Sequence, residues 1–217
     1  GNVGQVTTIN QIENVGYWHQ AHSFVRGNWR TVRETSPMIL QKSCHDMDII
    51  LWLMGRDCLR VQSFGSLKHF TPENAPEGAP ERCLDGCSHA ETCPYYAPRL
   101  YLDMNRTGWP VDVITTDMSE EGRRKALEEG PYGRCVYRCD NDVVDHQVVN
   151  MEFEGGATVS FSMNAFNQGG RYIRIFGTKG ELYAGAKDPE ITIYTFADKQ
   201  IHKIPMQAMN ESITFGH

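Results

Sequence analysis

HSFVRGNWRTVRETSPMILQKSCHDMDIILWLMG, residues 22–55, carries the clearest helix pattern of the chain. Ser43 and Asp46 have the Ser-x-x-acid spacing of a capping box, in which two side chains satisfy backbone amides of the first helical turn. Apolar residues follow at helical spacing: Met47, Ile50, Leu51 and Met54. Gly55 then supplies the left-handed residue at which many helices end. The sequence therefore predicts a helix between Ser43 and Gly55, after an extended segment at Phe24–Trp29.

Alternating patterns on both sides of this helix predict strands. Gly1–Ile12 and Leu59–Leu67 alternate between apolar and polar residues. Val143–Phe153 and Thr158–Phe166 form a predicted hairpin around the turn Glu154–Gly156. Further strands are predicted at Tyr172–Phe176, Glu181–Ala184, Ile191–Phe196 and Gln200–Ile204. One long sheet backed by a few helices, and hence the α+β class, accounts for this order of elements.

The segment from Thr71 to Asp142 differs in composition from the rest of the chain. It holds 14 acidic and 8 basic residues, whereas the remainder holds 13 of each, and it contains seven of the ten prolines and five of the seven cysteines. We therefore interpret about 71–142 as a Cys- and Pro-rich acidic insertion in a single domain, residues 1–217. Two helices are predicted inside it, one starting near Pro94 and one at Ser119–Glu129 that ends at Gly130.

Composition excludes several classes of protein. A length of 217 residues suits one domain with a substantial core. No apolar run approaches the ~20 residues that span a bilayer, and the first residues show no signal peptide, so no membrane partner is expected. The net charge of −6, without a basic stripe, argues against a nucleic-acid partner. An odd number of cysteines without a secretion signal predicts a cytoplasmic protein with reduced thiols.

Three stretches together resemble one known family. Trp29-Arg30 is followed by a loop and by a helix that begins with the H-x-x-D motif of His45–Asp48 and ends with the W-L-x-G motif of Trp52–Gly55. DNDVVDHQVVNMEFEGGATVSFSMNAF (140–166) and IRIFGTKGEL (173–182) complete the pattern. In this order they resemble the second domain of the glucose–fructose oxidoreductase / inositol dehydrogenase (Gfo/Idh/MocA) family. The resemblance implies a large, mostly antiparallel mixed sheet with helices on one face.

The resemblance also implies a function and a second domain. Members of the family transfer hydride between a sugar, a cyclitol or a related polyhydroxylated substrate and NAD or NADP. They begin with a Rossmann domain that carries a glycine-rich phosphate loop and a Glu-Lys-Pro segment with a catalytic lysine. Here no G-x-G-x-x-G occurs, and Gly155-Gly156 lies in a predicted hairpin turn. We therefore expect an excised C-terminal domain that is inactive alone, has no cofactor-binding residues and forms a homodimer or homotetramer through its sheet.

His45 is the first catalytic candidate. It falls at the helix start, where the helix dipole disfavours the imidazolium, so a neutral ring facing a cleft can exchange a proton with a substrate hydroxyl. The alternative is a histidine that only caps or packs there. Family members usually place an aspartate four residues earlier, where this chain has Gln41. Either Lys42 or Asp46 substitutes for it, or the chemistry differs in this branch of the family. Gln41 is also the main argument for the alternative function, a non-catalytic binding or assembly module. Asp48, on the same helix face, either orients the His45 ring or is a solvated charge.

Substrate-binding candidates lie before this helix. Arg26, Asn28 and Arg30 can donate hydrogen bonds to hydroxyls or phosphates, and Trp29 offers a flat face to a sugar ring. Core packing is the equally weighted alternative for Trp29. Together with Lys42 and Gln41, these residues are expected to shape the substrate site.

Two further candidates carry less weight. His19 and His22 would point to opposite faces of an extended segment, which disfavours a shared metal. Cys44 lies beside a helix start, where a thiol is activated, and this supports a rival class, a thiol-dependent enzyme. The sequence near Cys44 shows no arrangement of base and orienting group for that chemistry.

The cysteines of the insertion suggest a structural zinc site. Close thiols in a reducing compartment can supply four tetrahedral ligands and would stabilise a proline-rich loop with little core of its own. The alternative is a set of free, partly buried thiols that pack as small apolar side chains. The predicted ligands are Cys83, Cys87, Cys93 and Cys135, with Cys139 and His89 as substitutes.

Overall fold

One mixed β-sheet organises the part of the chain that this computed structural model describes, residues 2–186 and 188–206. Within that part its eight strands are β1 (Val6–Asn14), β2 (Cys58–Ser66), β3 (His146–Phe153), β4 (Thr158–Asn164), β5 (Gly170–Gly177), β6 (Gly180–Gly185), β7 (Glu190–Thr195) and β8 (Ile201–Pro205). Their order is β2-β3-β4-β1-β5-β6-β7-β8. β1 runs parallel to β4, and the other neighbours are antiparallel. The predicted α+β fold with a mostly antiparallel mixed sheet is confirmed.

The helices of the described residues are short. They are α1 (Tyr17–His19), which continues into a π-helix (Gln20–Arg26), α2 (Met38–Gln41), α3 (Cys44–Met54), α4 (Ala97–Tyr101) and α5 (Glu120–Glu129). None of the described helices is long and apolar enough to cross a membrane. The predicted extended segment Phe24–Trp29 is wrong, because its first three residues belong to the π-helix. Every residue of that helix is buried. The segment therefore has no exposed face, and its sequence lacks the spacing of polar residues that distinguishes a helix from a strand.

α3 confirms the predicted helix but not the predicted capping box. Gly55 adopts φ 58°, and its N–H donates to the Leu51 carbonyl at 3.0 Å, as expected of a left-handed helix end. Ser43 makes no side-chain cap, and its buried Oγ has no hydrogen-bond partner among the residues that the structure describes. The Asp46 carboxylate instead accepts hydrogen bonds from Gln11 and Arg171 of the sheet. The start of α3 is therefore fixed by contacts with the sheet.

The two faces of the sheet differ in what covers them. On β1 the residues Ile9, Gln11 and Glu13 alternate as buried positions. Ile9 lies between Val159 of β4 and Ile175 of β5, in the main apolar core that also includes Ile50 and Met54 of α3. The strand register places another set of side chains on the opposite face, where they are exposed: Ile12, Phe64, Val148 and Tyr183.

The residues between β2 and β3 include the segment interpreted from its composition as an insertion, and this segment contains more core than expected. One apolar cluster includes Cys83, Tyr101, Leu127 and Tyr132, and a second joins the segment to the π-helix. α5 matches its predicted range and is capped by Ser119, which accepts from the Gly122 N–H at 3.1 Å. The helix that was predicted to start near Pro94 begins later in the chain. Pro94 lies in a turn, and α4 starts at Ala97. The insertion therefore needs no metal to account for its order.

Candidate active site

A cavity of about 680 Å³ opens beside the start of α3, and we call it the α3 cavity. Two sets of side chains line it. The polar lining is Gln41, Lys42, His45, Asp48 and Arg171. The aromatic lining is His22, Trp29, Trp109 and Tyr132, of which the last two come from the insertion. The cavity is therefore built jointly by the segment that carries the family resemblance and by the insertion.

The local sequence explains how most of the polar lining reaches the cavity. α2 ends at Gln41, Lys42 donates its N–H to the Met38 carbonyl at 2.9 Å, and α3 begins two residues later. His45 and Asp48 are three residues apart and share one helix face. Both line the cavity, but no hydrogen bond in the described part of the chain joins them. Asp48 is thus placed at the cavity without orienting the His45 ring.

A buried charge network lies behind the polar lining. The Glu13 carboxylate is 3.2 Å from the Lys42 Nζ and 2.6 Å from the Arg171 Nε. The same Arg171 Nε donates a hydrogen bond to Asp46 Oδ1 at 3.0 Å, and Gln11 donates to that oxygen at 2.6 Å. Two carboxylates thus face two cations, and the network is formally neutral. The β1–β5 register produces it, because Glu13 pairs directly with Arg171.

Burial disfavours the charged form of the Glu13 carboxyl. The residue is 2 % exposed, and desolvation raises the pKa of its carboxyl although Lys42 and Arg171 act in the opposite direction. Oε2 contacts the Arg171 charge without receiving a hydrogen bond. The charges of Lys42 and Arg171 therefore offset part of the cost of burying this carboxylate.

His22 belongs to the aromatic lining as a neutral ring. Burial, with a smaller contribution from the Arg26 charge, lowers the pKa of His22 to about 4. Its Nδ1 lies 2.7 Å from the Tyr101 hydroxyl, and burial raises the pKa of that phenol. The ring stacks on Tyr132 with 5.0 Å between centroids and meets Trp109 edge-on at 5.6 Å. Three aromatic residues of the insertion thus hold His22 in one orientation.

His19 is a cavity residue that the sequence analysis dismissed. It meets the Trp109 ring edge-on at 4.9 Å, and both His19 and His22 line the α3 cavity. The prediction that they point to opposite faces is wrong, because the segment is helical and residues three apart lie on one side of a helix. The spacing WHQAH was the available signal, but it needed the correct secondary structure to be useful.

The predicted substrate-binding residues separate into two groups. Asn28, Trp29 and Gln41 line the α3 cavity. Trp29 is 49 % exposed, so the core-packing alternative for it is wrong. The Gln41 amide donates to Thr35 and Ser36, which holds its side chain at the rim.

Arg26 and Arg30 lie outside the α3 cavity, which corrects their predicted place. The buried Arg26 guanidinium donates to the carbonyls of Arg134 and Tyr95, each at 2.7 Å. Arg30 pairs with Asp140 at 3.0 Å. Both arginines therefore connect the π-helix segment to the insertion, a role that the sequence could not show because the partners are about a hundred residues away.

The predicted zinc site is not supported. Among residues 2–186 and 188–206, no group of three or more His, Cys, Asp or Glu side chains is arranged to hold a metal ion. All seven cysteines are free, Cys83 accepts from Arg26 at 3.6 Å, and His89 bonds to the Glu77 carbonyl. Burial raises the pKa of three further thiols, those of Cys93, Cys135 and Cys139, and the pKa of Cys139 rises to about 11. Free, partly buried thiols, with Cys87 half-buried beside them, are what the structure shows.

Cys44 makes one contact that concerns the rival thiol chemistry. Its exposed Sγ lies 3.7 Å from the Nδ1 of the adjacent His45. No third group in the described residues orients that ring. The arrangement a thiol nucleophile requires is therefore incomplete.

An eight-stranded mixed sheet with α3 packed on one face defines the chain as an α+β domain. Residues 1–213 match the family model described as the oxidoreductase family, C-terminal alpha/beta domain. The chain therefore belongs to the Gfo/Idh/MocA oxidoreductase family, of which it represents the C-terminal domain.

Relatives agree with this assignment. The protein YteT of Bacillus subtilis (strain 168), to which an oxidoreductase activity is ascribed, is 26% identical over 220 residues; the match covers 98% of this chain and 50% of YteT. The chain thus spans about half the length of this curated relative.

Solved structures show the same fold at low identity. Levoglucosan dehydrogenase in complex with NADH and levoglucosan is similar with a TM-score of 0.54 and 12% identity, covering 95% of this chain and 41% of that one. An oxidoreductase domain protein from Kribbella flavida has a TM-score of 0.51 and 14% identity, covering 95% and 40%. The super-repressor mutant of Gal80p from Saccharomyces cerevisiae has a TM-score of 0.54 and 13% identity, covering 97% and 42%.

Proposed function

We propose that the whole protein is an NAD- or NADP-dependent dehydrogenase in which this chain binds the substrate. Its reaction is hydride transfer between the nicotinamide and a hydroxyl-bearing carbon of a sugar, a cyclitol or a related polyhydroxylated molecule. Family membership supports an oxidoreductase. The observation that carries the proposal is the α3 cavity, which combines a helix-borne histidine and a paired lysine with aromatic rings in one space.

The lining suits a polyhydroxylated ring. Trp29 and Trp109 offer flat apolar faces on which the C–H face of a sugar ring can stack. Asn28 and Asp48 offer hydrogen-bonding groups to hydroxyls. A cavity of about 680 Å³ falls within the range of ligand sites that hold a small molecule.

His45 and Lys42 divide the proton chemistry in this proposal. When an alcohol becomes a carbonyl, the hydroxyl proton passes to the His45 imidazole, and it returns from His45 in the reverse direction. The Lys42 ammonium donates a hydrogen bond to the same oxygen and stabilises the negative charge that develops on it. The nicotinamide, when bound, accepts or supplies the hydride.

The dinucleotide is to be held mainly by the other half of the protein. In the described residues the adjacent glycines with positive φ at 155 and 156 form the β3–β4 turn, and no glycine-rich loop opens a helix. The described residues therefore provide no phosphate cradle of the usual kind. This fits the proposal that residues 1–217, with the insertion at about 71–142, form one substrate domain.

A second candidate function is a non-catalytic binding or assembly module of the same fold. The observation in its favour is Gln41, whose amide cannot take up a proton and is already bonded to Thr35 and Ser36. The module would bind a sugar in the α3 cavity without turnover.

We further propose that the protein is a cytoplasmic homodimer or homotetramer that pairs through the open sheet face. The exposed side chains Ile12, Phe64, Val148 and Tyr183 on that face support this arrangement. Sedimentation of the full-length protein, with Phe64→Glu as the variant, tests it. Loss of the assembled species in the variant supports pairing through this face, and a monomeric wild type contradicts it.

The test of the dehydrogenase proposal uses the full-length protein with NAD and NADP and a panel of sugars and cyclitols. We expect one of the two cofactors to be reduced only when a substrate is present. The absorbance of the reduced cofactor measures this reaction. Calorimetric binding of a sugar without turnover of any panel member would favour the non-catalytic module.

A further inference from the structure

The buried face of β1 carries polar side chains, although apolar side chains would cost less free energy to bury at these positions. Its three buried positions under α3 are Ile9, Gln11 and Glu13. Replacing a buried ion pair with packed apolar residues is often neutral or stabilising, so the presence of one is weak evidence for a role in stability. Glu13 therefore needs an explanation beyond packing.

The contacts of Glu13 give that explanation. Its carboxylate bridges Lys42, which lines the α3 cavity, and Arg171, which Asp46 also binds. The Lys42 side chain is 10 % exposed and has Glu13 as its ion-pair partner. The ammonium end of the flexible Lys42 side chain is thus bound to a residue of a central strand, β1.

We propose that Glu13 is a positioning residue that holds the Lys42 ammonium at the wall of the α3 cavity, where the ammonium meets the reacting substrate oxygen. The inference rests on the proposed function and adds to it the residue that replaces the missing aspartate of the family. At the position where that aspartate is usual, the chain has Gln41. Glu13 supplies a carboxylate from the sheet instead, and it acts through Lys42 without reaching the cavity lining itself.

Arg171 and Asp46 complete the arrangement of side chains that fixes Glu13. Arg171 pairs across the strands with Glu13 and donates to Asp46, so the Glu13 carboxylate is fixed from the side away from Lys42. The charged or titratable groups around Lys42 are then Glu13 from β1, Arg171 from β5, and His45, Asp46 and Asp48 from α3.

A double-mutant cycle in the full-length enzyme tests whether Glu13 acts through Lys42. Glu13→Gln keeps the shape and removes the charge, and Lys42→Met removes the ammonium. Each single change is expected to lower kcat by roughly 10–10²-fold, with a smaller effect on KM. The double variant is expected to be no slower than Lys42→Met, and Glu13→Asp is expected to recover part of the loss. Multiplying effects in the double variant would overturn the proposal.

A matched control separates this from loss of any ion pair. Glu120 of α5 pairs with Arg124 at 3.3 Å, away from the sheet face that is proposed for assembly. Glu120→Gln is expected to leave kcat unchanged, and an effect as large as that of Glu13→Gln would count against a specific role for Glu13.

A second readout is independent of turnover. An amine-directed reagent, acetic anhydride, is applied to the wild type and to Glu13→Gln, and the acetylation of each lysine is followed by mass spectrometry. Lys42 is expected to react several-fold faster in the variant, while the exposed Lys125 of α5 reacts equally in both. Equal Lys42 rates would overturn the proposal. A wild type that reduces neither cofactor would refute the proposed function instead, and the labelling rates would still decide the Glu13–Lys42 pair.

Discussion

The two linings of the α3 cavity have different origins. The polar lining comes mostly from a local segment, Gln41–Asp48, in which spacing along one helix start places the side chains. The aromatic lining is assembled from distant parts of the chain, with Trp109 and Tyr132 of the insertion packed around His22. Under the proposed function, this difference predicts that the local segment performs the chemistry and that residues from about 71–142 select the substrate ring.

The largest effect is expected from a substitution in the polar lining. In the full-length enzyme His45→Ala should lower kcat by about 10²–10⁴-fold and leave cofactor affinity nearly unchanged, since a general acid/base is lost. Steady-state kinetics and cofactor titration measure both quantities. Cys44→Ala is the neighbouring control and should be close to wild type. If kcat is unaffected in His45→Ala, the histidine has only a packing role.

The next effect concerns the aromatic lining and stability. The folded-state pKa of His22 is lowered from 6.5 to about 4, so the unfolded chain binds the extra proton first as the pH falls. The free energy of unfolding should therefore be highest above about pH 6.5 and fall by up to about 3 kcal/mol towards pH 4. Urea unfolding at about pH 7 and about pH 4.5 measures it. His22→Gln should lose much of this pH dependence, and an identical slope in both proteins would contradict the assignment.

A smaller effect tests whether the insertion selects the substrate. Trp109→Ala should raise KM for the best polyol by roughly tenfold and change kcat less, since a stacking face is lost while the acid/base remains. The ranking of the substrate panel should change as well. Phe196→Ala, an exposed aromatic residue outside the cavity, is the control. A fall in kcat with an unchanged KM would place Trp109 in the chemistry and remove the proposed division.

The smallest effect is expected at Gln41. Because the pair of Glu13 and Lys42 takes the place of the missing aspartate, Gln41→Asp should not raise kcat, and it loses the hydrogen bonds that Gln41 donates to Thr35 and Ser36. The measurement is kcat with the best panel substrate. An increase of about tenfold or more would instead favour a domain whose catalytic function has lapsed.

The sequence predicted those parts of the fold whose signals are local. α3 and its end at Gly55 followed from apolar spacing and a left-handed glycine, and the β3–β4 hairpin followed from alternation around a turn. The π-helix gave no usable pattern because it is buried on all sides. It was therefore predicted as extended, and His19 was dismissed with it.

The candidate site was predictable only in its local half. His45, Lys42, Asp48 and Gln41 lie within one segment, and all four line the cavity. Glu13 was not found, because the predicted first strand ends at Ile12 and nothing in the local sequence marks the next residue as buried. Its role follows from the β1–β5 register, which no local pattern specifies.

The most direct test of the central claim follows the hydride itself. The full-length enzyme is given a polyol deuterated at the carbon that it oxidises, and the reduced nicotinamide is analysed by mass spectrometry. The account predicts that one deuterium moves to the nicotinamide and that His45→Ala slows this transfer without changing where the deuterium goes. Product formed with no deuterium in the nicotinamide would contradict it.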